Sequence, residues 1–105
     1  MSVVVQVIFR ASDREPLHLP VATEAVFSHD WLPAAVRLGL DWIPGFDAGL
    51  TLGPGDLPAL LADLVQIHAE FTRASRTYAL LPRVDALLAA LSTLDPAEVH
   101  EIWIG

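Results

Sequence analysis

Three of the four histidines stand close to a carboxylate in the sequence: His29 beside Asp30, His68 near Glu70, and His100 beside Glu101. Imidazole and carboxylate are the ligands that zinc and other divalent ions take when they converge from different elements. The spacing does not bring them together. No two histidines lie four apart with a glutamate between them, and adjacent residues on a helix or strand point apart. His68 falls on an apolar helical stripe, where a boundary histidine is the simpler reading. No metal and no cofactor are expected.

Nucleophilic chemistry has equally little to work with. None of the serines, Ser2, Ser12, Ser28, Ser75 and Ser92, sits in a glycine-flanked nucleophile elbow. Ser28 reads as local hydrogen bonding near a helix start. With no cysteine, thiolate catalysis, disulfides and cysteine metal sites fall away together. Gly53-Pro54-Gly55 precedes a helix but lacks the lysine and further glycines of a phosphate loop. Thirteen carboxylates could supply an acid–base pair, yet nothing in their order selects two. No catalytic residue is assigned.

Two stretches are better suited to recognition. Phe27, Trp31, Trp42, Ile43 and Phe46 gather aromatic bulk around Pro33, Pro44 and Gly45. Tryptophan is over-represented at binding hot spots, and loops on rigid scaffolds carry function. The Trp42–Asp47 loop is therefore a candidate partner-binding site, with Trp42 and Phe46 as apolar contacts and Asp41, Asp47 and Asp56 as the charges around them. Arg73, Arg76 and Arg83 form a local positive island in eleven residues without an acid, with Tyr78 in its middle. Such an island could take a carboxylate or phosphate, while cations near a helix C-terminus also complement its dipole.

The element that must position these residues is a helix opening at Gly53-Pro54-Gly55-Asp56. Asp56 can cap its first N–H groups, and Pro58 falls in the first turn. Leu57, Leu60, Leu61, Leu64, Val65, His68 and Phe71 follow at spacings of three and four, a core-facing stripe that turns Asp63, Gln66, Glu70 and Arg73 elsewhere. Before it, Val3 to Arg10 reads as a central strand and Leu17, Leu19 and Val21 as its hairpin partner. Pro20 places that second strand at an edge. Asp30 is the expected N-cap of a helix that has Pro33 in its first turn and stops at Gly39. Short strands are expected around Leu40–Ile43 and Leu50–Leu52. Pro82 opens a third helix with Val84, Leu87, Leu88, Leu91 and Leu94 on one face, ended by Asp95-Pro96. Val99 to Ile104 is a last strand, with Ile102 and Ile104 on one face and Val99, Glu101 and Trp103 on the other, paired with the N-terminal strand.

These elements predict a single α+β domain over residues 1–105: a two-layer sandwich with a small, mostly antiparallel sheet and about three helices packed on one face. The chain is 53% hydrophobic, which excludes general disorder, and no apolar run approaches a membrane span. The start lacks a signal peptide's basic flank and cleavage site, so a cytoplasmic protein is expected. A net charge of −7 argues against a nucleic-acid surface and suits a basic partner. Absence of lysine and asparagine looks like the codon bias of a GC-rich bacterial genome.

In size, charge and strand–helix layout the chain is similar to the small acidic immunity proteins with which bacteria neutralise toxins. That resemblance implies a non-catalytic protein-binding or adaptor module. The alternative is a small dimeric ligand-binding protein or enzyme with a pocket between helices and sheet, using His29, Asp30 and His100. So much apolar surface on 105 residues also favours a homodimer.

Overall fold

β1 (Ser2–Phe9) and β2 (Leu17–Thr23) form the expected antiparallel hairpin in the computed structural model, which describes residues 2–105. β3 (Leu50–Leu52) and β4 (Val99–Ile104) complete an antiparallel sheet of order β2-β1-β4-β3. Pro20 lies on the outer strand β2, where its missing N–H costs no ladder bond, and the β1–β2 register shifts between Val3 and Val4. β4 pairs with β1, so the two most apolar strands lie at the centre.

Burial alternates along β1. Val3, Val5, Val7 and Phe9 are buried, whereas Val4, Gln6 and Ile8 between them are half-buried. The buried side chains join those of the helices in one apolar cluster, so the core lies on one face of the sheet. β4 departs from the expected alternation. A bulge pairs Ile8 with Glu101 but Phe9 with Val99, and this shift turns Val99 into the core beside Ile102 and Ile104.

The first helix starts earlier than expected. It begins at Glu24, capped by Thr23, whose hydroxyl accepts the Val26 N–H at 3.2 Å. α1 (Glu24–Val26) continues through a π-helical stretch, Phe27–Trp31, into α2 (Leu32–Leu38), which ends at Gly39 with φ of 69°. Pro33, inside the helix, would crowd the carbonyl of His29 in an α-helical turn. The wider turn, in which Leu32 N–H bonds Phe27 carbonyl, accommodates it. Asp30 is thus mid-helix and caps nothing.

Leu40–Ile43 forms no strand. Ile43–Ala48 is a 3₁₀ helix, because Pro44 cannot donate to a ladder and the N–H groups of Trp42 and Ile43 are taken by the Asp63 carboxylate.

α3 (Leu57–Thr72) is the central helix, preceded by a 3₁₀ turn, Pro54–Asp56. Asp56 accepts from the upstream Gly53 N–H at 3.0 Å and makes no side-chain bond into α3. The buried stripe is Leu57, Leu60, Leu64, Ile67 and Phe71, with Asp63 buried beside it; Val65 faces solvent. α4 (Leu81–Ser92) buries Val84, Leu87 and Leu91 as expected. Among the described residues no helix is long and apolar enough to cross a membrane.

Candidate functional site

The aromatic stretch divides on folding. Phe27, Trp31, Ile43 and Phe46 are wholly buried. Phe27 stacks between Trp31 (centroids 6.4 Å) and Phe46 (6.1 Å), and Trp31 meets Phe71 edge-on at 5.4 Å. Phe46 therefore belongs to the core and presents no ring to a partner. Its neighbours across the 3₁₀ helix do reach the surface: Trp42 is half-buried against the core, and Asp41 and Asp47 are exposed.

Asp63 holds this loop. Only 8% exposed, it projects from α3 and its Oδ2 accepts the backbone N–H of Trp42 at 2.9 Å and of Ile43 at 3.4 Å. A carboxylate satisfied by two backbone donors fixes the chain segment that carries Asp41 and Trp42. The stripe read from the sequence omits Ile67 and extends to Leu61 and Val65, which turns Asp63 outward. Centring it on Leu60, Leu64 and Ile67 places Asp63 at the edge of the buried face. Gly49, with φ of 91°, closes the loop into β3 in a conformation that favours glycine. Asp56, tied to Gly53, is half-buried at the start of α3.

The arginine island is divided as well. Arg76 pairs with Asp30 at 3.2 Å and Arg73 with Glu70 at 3.6 Å; Glu70 also takes Arg37 of α2 at 3.0 Å. These pairs join the first helix to α3 and the segment after it. Arg83 lies apart, beside a shallow depression of about 210 Å³ with Val21, Val26 and Leu80. Tyr78 is exposed.

The histidines do not converge. His29 Nδ1 lies 3.4 Å from Asp30 Oδ1, whereas His100 is exposed on β4 and is not part of the cleft that Asp30 lines with Arg37, Glu70 and Arg76. His68 bonds Asp85 of α4 at 2.8 Å rather than its sequence neighbour Glu70. Among the described residues no three His, Asp or Glu side chains are grouped to hold a metal ion.

Two further features were not among the candidate sites, although the sequence places Trp103 opposite Ile102 and Ile104. A cleft of about 500 Å³ opens between the β1–β2 turn and the end of α4. There Arg14 lies 3.7 Å above the Phe9 ring and is paired with Glu98. Trp103 stands on the solvent side of β4, 45% exposed, with its indole N–H donated to Glu101 at 2.7 Å. The apolar–polar alternation of β4 was the signal for it. Compared with known proteins, the chain matches no family model, no curated protein and no solved structure.

Proposed function

We infer that this chain is a non-catalytic protein-binding module, immunity-like or adaptor in kind, whose acidic loop receives a basic surface of a partner protein. The observation that carries this reading is the Asp63 clamp: it fixes a backbone on which exposed Asp41 and Asp47 flank the half-buried indole of Trp42. An aromatic contact ringed by charge on a preorganised loop loses little conformational freedom on binding. The overall charge of −7 adds attraction at longer range.

Native mass spectrometry on the protein isolated under mild conditions from its own cells is the test. A stoichiometric complex with a basic protein is expected. Asp41→Asn with Asp47→Asn should weaken it by at least about 10-fold, as loss of two charged contacts does. A complex that survives that double change unaltered, or the absence of any protein partner, overturns the reading.

The cleft of about 500 Å³ favours one second reading, a small ligand-binding protein or enzyme. Retention of a small molecule in the same spectra, lost on Arg14→Ala, would establish it in place of the first.

A further inference from the structure

We propose that the open face of the sheet is a self-association surface, and that its occupant is a second copy of this chain. The face is built by the residues of β1 that alternate with the core. Gln6 is in register with His18 on β2 and with Trp103 on β4, and Trp103 with Thr51 on β3, so one row crosses all four strands. Val4 and Ile8 flank that row, half-buried, and Trp103 stands out of it.

Charge selects the occupant. Of thirteen carboxylates only Glu101 lies on a strand, and no arginine does. Glu101 is already engaged with the Trp103 indole. The remaining twelve carboxylates sit on helices, turns and loops. Two molecules of charge −7 repel, and they can meet closely only over a face that holds the rest of their charge away from the contact. A basic partner would be drawn instead to the carboxylate-bearing loops. The sheet face thus fits a like-charged copy, with Gly49 at the end of the partner-binding loop on its border.

Shape points the same way. Beside Trp103 lies a shallow depression of about 310 Å³ bordered by Val4, Gln6, Thr51 and Gly105. A two-fold contact requires protrusion and recess on the same patch of one molecule, and here they adjoin. Each copy's indole fills the other's recess. The sheet, four strands wide at ~4.8 Å and about six residues long at ~3.3 Å, offers on the order of 400 Å² per copy before side-chain relief. That is about 800 Å² in total, below the ~1,200 Å² at which stable specific interfaces begin, so a weak, transient dimer that forms at tens to hundreds of micromolar is expected.

Sedimentation velocity of the intact chain from about 1 to about 500 µM, spanning micromolar dissociation constants, tests this. The mass should rise from 11.4 kDa toward twice that value. Trp103→Glu should raise the dissociation constant at least about 30-fold, as loss of a hot-spot anchor does. Thr51→Glu, at an exposed strand position, should weaken it too and serves if Trp103→Glu does not fold. Val65→Glu, on the exposed side of α3, should leave it unchanged. Higher salt screens the repulsion and should not weaken the dimer. A wild type that stays monomeric throughout, or a dimer indifferent to both sheet changes, overturns the proposal. So does one that is dissociated by Val65→Glu or by salt.

Discussion

Trp31 and Trp103 sit in opposite halves of the molecule, and their polar atoms are treated in opposite ways. Trp31 is wholly buried between Phe27 and Phe71, and its indole N–H has no acceptor. Trp103 faces solvent and has its N–H bonded to Glu101. A buried donor without a partner costs about 1–3 kcal/mol, so the core keeps Trp31 for its volume and in spite of its nitrogen. The sheet face holds Trp103 in a defined orientation though little packing requires it there. In one region bulk decides; in the other, presentation does.

Urea unfolding at low protein concentration measures that contrast. Phe71→Ala removes the ring against which Trp31 packs and should cost about 3–5 kcal/mol, the largest effect. Asp63→Ala leaves the Trp42 and Ile43 N–H groups without their acceptor and should cost about 2–3 kcal/mol. Because the polar tie is local, partner binding at the Asp41–Asp47 loop should fall by more than the stability loss explains. Trp31→Phe loses some volume but removes the orphan donor, and the two terms should leave it within about 1 kcal/mol of wild type. A cost well above that would mean that the indole N–H has an acceptor in solution. Trp103→Thr should change monomer stability by no more than about 0.5 kcal/mol, the range of surface substitutions. A large loss there would mean that Trp103 is structural, and the two tryptophans would then differ only in exposure.

The positions of β1 to β4 and the edge placement of β2 were legible because period-two patterning and Pro20 both act locally, whereas the strand expected at Leu40–Ile43 is absent because the N–H groups of Trp42 and Ile43 go to Asp63, far along the chain. The start of the first helix was not. Pro33 signals a first turn only if the helix is α throughout, and the π-helical turn at Phe27–Trp31 removes that premise. The inward turn of Val99 depends on a bulge set by pairing with β1, a long-range event that the six residues of β4 do not encode alone. At the candidate site, residue type alone singles out Asp41, Trp42 and Asp47, of which the two aspartates are exposed and Trp42 is half-buried. Asp63 was missed because a carboxylate on a helix reads as solvent-facing until its backbone partners, some twenty residues earlier, are known. Phe46 was misplaced for the complementary reason: loop residues carry no period that separates a covered ring from a displayed one.

The central place of β4 sets the order in which the molecule can be made. β3 pairs only with β4, and β1 needs β4 along its second edge. During synthesis the hairpin and all the helices emerge before the strand that joins them. Val5 waits for Ile104, nearly the whole chain away, while the inner edge of β1 stays unpaired. Closure over such a distance is slow, and an open apolar strand is the form most exposed to aggregation. For this chain the vulnerable interval therefore lies between formation of the β1–β2 hairpin and the arrival of β4.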